Sequence, residues 1–514
     1  MSQKTNKKLY TYIILVMAVL LTKVLGLVRG ILLSSFYGTG IEASAFTAVS
    51  NLPLILFDVT FGTAISSAFV PVFNEKLSKE NKDSANKFAS NFITIVLLIS
   101  FVLVGIGITL PKFAVMLVAS GFNSNAQTMA LATELMQIVM PIMSIACATF
   151  IFIGILQSYG EFIAPALVSL FSNISMILYF LCLDKKFGIK GLAVAFVFGW
   201  FLQFLFLVPF LIKKKFRFSF IVNFKSPDIK KVVILTLPLF VAALAQPVNQ
   251  IISSNISSSV SSTGVATVNY AYNAYYIVAG VFSYALTNMF FPEMSRRFAV
   301  GDTDGATKIC SDMLSNITAI IIPVMAVMGS CSYNIIKILY ERGKFTATDT
   351  QNVSMLLCVY VFGMLFISWQ DILNKFFYSM QKSVIPMICA SVGIGVNLVC
   401  SFLLTKFFGI AGLAISTVIA GGIMTVMLCV FAQKTVGGVF NKKMFFEILK
   451  VVLSGAVAFA ACKFSKTIFD FGNSLISQII VVVIVFLLSC ALYVLSLVFL
   501  KSNNIKALLK RGSR

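Results

Sequence analysis

The stretch Phe187-Gly-Ile-Lys-Gly-Leu-Ala-Val-Ala195 returns later in the chain as Phe408-Gly-Ile-Ala-Gly-Leu-Ala-Ile-Ser416, an offset of 221 residues (408 − 187). Pro165 in Phe-Ile-Ala-Pro and Pro386 in Val-Ile-Pro share that offset, as do Pro71 in Ala-Phe-Val-Pro and Pro292 in Met-Phe-Phe-Pro. Three markers at one spacing, spread over much of the repeat, make the chain a tandem duplication. The copies run roughly over 9–212 and 230–433, with a basic linker at 213–229 and a further segment at 434–514.

Composition says what is being repeated. Of the 514 residues 59% are hydrophobic and 11% charged, at a mean hydropathy of +0.96. Soluble domains carry about 45–50% apolar and about 25% charged residues. A soluble enzyme and a disordered chain are excluded, and the fold class is an all-α polytopic membrane protein. No His is present, which removes His-based triads and His metal sites. The ten Cys form no CxxC pair and lie mostly in apolar runs, as small buried hydrophobes. Neither a cofactor nor a structural metal is expected.

A bilayer core needs about 20 apolar helical residues per crossing. That window gives about fourteen spans, near 9–35, 44–68, 88–110, 128–157, 162–183, 191–212, 230–256, 266–291, 309–333, 350–379, 384–405, 409–433, 447–463 and 474–500. The apolar run after Met1–Lys8 lacks a small-residue cleavage pattern and is read as the first span. Each repeat then holds six spans, an even number, so both copies share one topology, as in parallel-repeat transporters. Most Lys and Arg fall in alternate connections. They place both termini in the cytoplasm and make the formal charge of +22 a matter of topology and of attraction to anionic membrane lipids, not of nucleic acid.

An embedded charge costs about 2.5–3.5 kcal/mol on insertion scales, so each one needs a reason. Lys23 and Arg29 lie on the first span, about 120° apart around the helix, with Gly26 and Gly30 between or beside them allowing some bending. Asp58 on the second span is a candidate counter-charge. Asp371 and Lys375 stand at i,i+4 on the tenth span, on one face, where they can pair. Gln246, Asn249, Gln250 and Asn255 on the seventh span, and Asn269, Tyr270, Tyr272, Asn273, Tyr275 and Tyr276 on the eighth, suit a wet cleft that takes sugars and amides. Interhelical hydrogen bonding is the competing use of each. No Walker A motif is present, and Asp302-Thr-Asp304 suits a plain turn.

Several strings resemble one family. Leu25-Gly-Leu-Val-Arg29, Ser66-Ser-Ala-Phe-Val-Pro71, Phe291-Pro-Glu-Met-Ser-Arg296, Tyr340-Glu-Arg-Gly-Lys-Phe-Thr346 and Tyr378-Ser-Met-Gln381 resemble the MurJ (MviN) family, lipid II flippases of the MOP exporter superfamily. The resemblance spans nearly the whole chain. It implies a V-shaped pair of six-helix bundles with a cationic cavity, and two extra C-terminal spans that groove the lipid tail. Its substrate would be lipid II, an undecaprenyl-pyrophosphate-linked disaccharide-pentapeptide, moved from the inner to the outer leaflet of the bacterial cell membrane. Cell-wall synthesis machinery would be a partner.

Carried over residue by residue, the family's first-span cavity arginines fall on Lys23 and Arg29, and a tenth-span arginine falls on Lys375. With Asn249, Tyr272 and Asn273 these form the expected substrate-binding set, and Asp58 and Asp371 the charge-balancing or coupling set. A second-span arginine falls near Phe57 and an eighth-span one near Asn273; neither is basic here. Sodium-site positions of some members fall near Ser253, Asn397, Ser401 and Thr417, without carboxylates, which leaves Asn397 and Thr417 as weak metal candidates. The alternatives are a flippase for another polyprenyl-linked oligosaccharide, a cation-coupled multidrug exporter, which would stop at twelve spans and carry acids in the cleft, and a non-transporting scaffold.

Overall fold

Hydrocarbon offers the backbone no water, so a spanning chain satisfies its N–H and C=O groups within helices. A computed structural model describes residues 2–62, 64–243, 245–468 and 474–502. The basic tail beyond residue 502 and the side chains of Lys4, Lys7, Lys8, Ser66, Ser67 and Gln246 lie outside what is described. Among the described residues there is no strand, and every expected span falls on a helix.

Ten helices among the described residues are long and apolar enough to cross a membrane: Ile41–Gly62, Lys82–Thr109, Ala126–Ser158, Ile163–Cys182, Asp184–Lys213, Thr303–Ser330, Val384–Phe408, Ala411–Val436, Met444–Ser465 and Leu475–Phe499. Ala347–Val361 and Gly363–Ser379 make an eleventh as a pair bent by 44°. The other three expected spans are Ser2–Tyr37, the pair Pro227–Ala243 with Ala245–Val260, and Gly264–Ala299. These carry the embedded cations, the Asn/Ser run and the Tyr/Asn run. Exposed Phe101, Val102, Leu178, Leu181, Leu487 and Phe499 give the apolar helices the outer surface that lipid requires.

The duplicated string has a conformational cause. Gly188 and Gly409 stand at equivalent places, and both adopt positive φ, 56° and 54°. Each reverses the chain in a tight hairpin between two long helices, a backbone state that costs a residue with a Cβ about 1–2 kcal/mol. In the first copy the Tyr179 hydroxyl closes the turn by donating to the Gly188 carbonyl at 2.6 Å. Three residues on, Gly191 and Gly412 let the returning helix close on the departing one. A Cβ on Gly412 would sit 2.5 Å from the backbone carbon of Leu404.

Packing divides the chain into two compact units, Met1–Ala266 and Thr267–Arg514. The helices Pro227–Ala243 and Ala245–Val260, which open the second repeat in sequence, are therefore grouped with the first unit. Its core holds a stack of rings, with Phe69 4.8 Å from Phe92 and 5.5 Å from Phe88. A polar strap ties Val70–Lys79 to Pro227–Ala243: Lys231 bridges Glu75, and Lys76 bridges Asp228 at 3.1 Å. Lys231 and then Lys79 hold the Glu75 carboxyl below its usual range. That strap is thus intact at neutral pH and is lost only as pH falls through the lowered range.

In the second unit the C-terminal pair packs on Thr303–Ser330. Val451, Ala458, Tyr493 and Leu497 bury around Ala326, and the Tyr493 hydroxyl donates to the Ala319 carbonyl at 2.8 Å. Farther along, Val481, Val485 and Cys462 enclose Val327 and Cys331, and Asn334 bonds to Gln478.

The hairpin glycines yield a stability prediction. Gly412→Ala must displace the Leu404–Thr405 backbone, at a cost of about 1–3 kcal/mol, and lowers the thermal unfolding midpoint of the purified protein by a few degrees. Gly395→Ala, with nothing within 4 Å of the added carbon, leaves the midpoint in place. Equal midpoints for the two variants would remove the close-packing account.

Candidate functional site

The first cationic helix, Ser2–Tyr37, runs unbroken through Gly26 and Gly30. One face lies against Leu170–Cys182. The Asn173 amide donates to the Thr22 carbonyl at 3.4 Å, the Gly26 Cβ position lies 4.0 Å from Asn173 Oδ1, and Phe36 meets Phe180 at 5.2 Å between ring centroids. Arg29 belongs to this face: it is half-buried, with Nη1 3.9 Å from the Met176 sulfur. Lys23, about 120° around the axis, is exposed. Among the described residues neither cation lies within ion-pair distance of a carboxylate. Asp58 therefore does not neutralise them directly, and both charges remain available to an anion.

Asp58 itself is exposed and opens a π-helical stretch, Asp58–Gly62, followed by a second at Ile65–Phe69. Wide turns of this kind are rare and concentrate at functional sites. The Thr60 hydroxyl bonds back to the Leu56 carbonyl at 2.7 Å. Phe57 is buried and stacks on Phe150 at 4.8 Å. Its ring belongs to the core, and a charge there would be buried.

In the second unit, Lys375 and Asp371 share a face of Gly363–Ser379, as their spacing predicts. The predicted ion pair between them is not formed. Lys375 Nζ instead sits 5.1 Å above the Phe291 ring, a cation–π contact contributed by another helix. Asp371 lies within electrostatic reach of the Tyr275 and Tyr276 hydroxyls. Asn273 is exposed and donates to Asn269 at 2.7 Å, while Tyr272 is half-buried with its ring stacked on Tyr276.

Other polar residues of the expected site serve packing. Asn397 is buried and accepts from Ser401, which bonds Ser416 at 2.6 Å, and Thr417 bonds back to the Leu413 carbonyl. This set joins Val384–Phe408 to Ala411–Val436 with neutral oxygens already engaged with one another and with no carboxylate, a poor match to a cation. Asn249 is half-buried on Ala245–Val260. On the same helix Asn255 accepts from the Ser120 amide at 2.7 Å and donates to the Leu117 carbonyl, and Ser258 accepts from the Gly121 amide at 3.2 Å. There the polar run is a clamp onto the Ser120–Ser124 turn. Glu134 pairs with Lys190 at 2.6 Å.

Periodicity alone misses the π-helical stretches, whose only sequence sign is the Asp58/Thr60/Gly62 cluster between Pro53 and Pro71. It also misses the Trp369 indole, which donates to Thr318 at 2.9 Å, and Gln370, which bonds Gly421 and Thr425. These fix the orientation of the helix that bears Lys375.

The fold defines a multi-pass, all-helical membrane protein. The chain belongs to the lipid II flippase MurJ family, whose model matches residues 33–483. A Rhizobium tropici protein named "Probable lipid II flippase MurJ" is 25% identical over 427 residues, 80% of this chain and 78% of that relative. A Treponema pallidum protein of the same name is 24% identical over 485 residues, 91% of each. The solved structure of "Lipid II flippase MurJ, inward closed conformation" aligns with a TM-score of 0.81 at 25% identity, covering 95% of this chain and 100% of that one. An inward-facing multidrug resistance MATE family transporter of the MOP superfamily aligns at 0.66 and 13% identity, over 83% and 98% of the two chains, and shares the fold alone. The chain is accordingly a multi-pass protein of the bacterial inner membrane.

The two non-basic positions respond differently to a restored cation. Phe57→Arg buries a charge in the Phe150 stack, and its level in membranes falls several-fold. Asn273→Arg adds one at an exposed position and accumulates normally. Quantitative immunoblotting of membranes reads both; normal accumulation of Phe57→Arg would mean that Phe57 lines an open surface.

Proposed function

We propose that this protein moves lipid II from the inner to the outer leaflet by alternating access, with both termini in the cytoplasm. The observation that carries the reading beyond family membership is the pair of cations on the helix read as the first span, Lys23 and Arg29, with no carboxylate partner among the described residues. An insertion cost of about 2.5–3.5 kcal/mol each is hard to account for as structure alone when no counter-charge is built in. A pyrophosphate supplies it. Lys375 on the second unit is the third cation of the set, and its seat on an aromatic ring leaves its charge uncancelled.

The remaining assignments follow from chemistry. Lys in place of Arg at position 23 keeps charge but gives up the bidentate fork, so recognition there is electrostatic rather than geometric. Asp58 and Asp371 are the acids able to balance the cations between substrate-loaded and empty states. Asn249, Tyr272 and Asn273 belong to the walls for sugar and peptide. Anionic lipids gather at the basic linker through Lys213, Lys214, Lys215 and Arg217, and cell-wall synthesis enzymes would take up the delivered precursor.

The test is lipid II externalisation in bacteria depleted of their own flippase and expressing this chain, with the outer pool read by an added enzyme that cleaves only exposed lipid II. Wild type restores cleavage. Lys23→Ala with Arg29→Ala abolishes it at unchanged membrane abundance, and Lys23→Arg retains it. Full activity in the double variant would overturn the pyrophosphate assignment. No cleavage by well-expressed wild type would favour another polyprenyl-linked oligosaccharide as cargo.

A further inference from the structure

The first unit holds a cavity of about 260 Å³ between the π-helical part of the second span, Lys82–Thr109 and Pro227–Ala243. All but two of its lining residues are apolar. The two exceptions, Thr60 and Thr236, spend their hydroxyls on their own helices. Thr60 donates to the Leu56 carbonyl at 2.7 Å and Thr236 to the Val232 carbonyl at 2.8 Å. A water inside would need about two to four polar partners, and these walls have no hydrogen left to donate. Apolar cavities of this kind stay dry and take hydrocarbon; one of roughly 150 Å³ already holds benzene.

The cavity is a slot with an open side. One wall runs from Phe92 to Ile99 and the other from Ile229 to Thr236. Each covers about two helical turns, roughly 10 Å along the axis. Phe92, Val96 and Val232 are buried at the base, whereas Ile99 and Val233 at the rim are 41% and 55% exposed. On helices read as spans, that opening faces the acyl chains of the bilayer.

One end of the slot lies at the basic linker. The Asn91 side chain, next to Phe92, accepts from the Asn223 amide at 2.7 Å and donates to the Asn223 carbonyl at 3.0 Å. Ile229 belongs to the first turn of Pro227–Ala243. The charges around it are not equally available. Asp228 is bridged by Lys76, and Lys231 is bridged to Glu75. Lys230 between them is exposed and forms no ion pair among the described residues. It stands three residues before Val233, on the side of the helix that bears the rim.

We infer that the slot is a seat for one acyl chain of a membrane phospholipid, with Lys230 at its phosphodiester. A narrow apolar slot headed by one uncommitted cation matches a charged head followed by unbranched hydrocarbon. This lipid is distinct from the cargo, whose pyrophosphate is assigned above to Lys23, Arg29 and Lys375. Its chain fills the seam where the first helix of the second repeat meets the first repeat.

Photo-crosslinking of the full chain in nanodiscs tests it. The probe is phosphatidylglycerol with a diazirine midway along one acyl chain, at low mole fraction in phosphatidylcholine, and adducts are mapped by peptide mass spectrometry. They should concentrate on residues 92–99 and 229–236 over Leu475–Phe499, which serves as ordinary lipid-facing surface. Val233→Trp, a rim substitution that closes the slot, should cut the slot adducts about tenfold. Val426→Trp, at an exposed position of Ala411–Val436, should leave them unchanged. Lys230→Gln should cut them about fivefold. Even labelling of the slot and the reference helix would overturn the seat, as would wild-type labelling of a normally accumulating Val233→Trp. Unchanged labelling in Lys230→Gln would overturn the phosphodiester assignment and the phospholipid with it. Loss of labelling on adding lipid II, but not on adding unlabelled phosphatidylglycerol, would give the slot to the tail of the cargo and overturn the inference. None of these outcomes bears on lipid II flipping itself.

Discussion

The structure depends on one constraint: inside a bilayer, a polar group without a partner has no water to turn to. Most polar side chains of the helices obey it by folding back onto the backbone. Thr94 bonds the Ser90 carbonyl, Thr149 that of Ile145 and Thr318 that of Leu314. Longer groups cross to a neighbouring helix, as Tyr493 does to Ala319 and Gln370 to Gly421. Against that background the groups that are not spent in this way stand out. Lys23 and Tyr276 are exposed, and neither Lys23 nor Arg29 has a carboxylate partner among the described residues.

The duplication was readable because its marker is a backbone requirement. Phe-Gly-Ile-x-Gly-Leu-Ala persists in both copies because Gly188 and Gly409 must take positive φ and because a side chain at Gly412 has no room. Span positions were readable too, since apolar length is the physical condition for crossing. Among the described residues ten helices meet that condition alone and an eleventh as a bent pair.

The site was less readable, because sequence spacing reports only one helix at a time. Asp371 and Lys375 do share a face, but the ring that captures Lys375 comes from residue 291 of another helix. Asn255 and Asn397 look alike in sequence to Asn273, yet the first clamps a turn and the second is buried and accepts from Ser401 of its own helix, whereas Asn273 is exposed. Amide chemistry is the same in all three. What differs is whether a neighbouring element supplies a partner, and that is a property of the tertiary structure. Phe57 shows the same point in reverse: only the tertiary structure reveals its stack on Phe150.

The π-helical stretches have a consequence for how the second span is inherited. A π turn accommodates an extra residue without ending the helix, and one extra residue advances everything after it by about 100° around the axis. Residues before Asp58 and after Phe69 therefore belong to different rotational registers of what looks like one rod. A single-residue deletion in this segment of a relative would read, in an alignment, as a minor gap. Physically it would swing the Pro71 end of the helix to a new bearing and exchange which side chains it shows to its neighbours. Insertions and deletions here are steering changes, and comparisons among relatives that count only substitutions would pass over them.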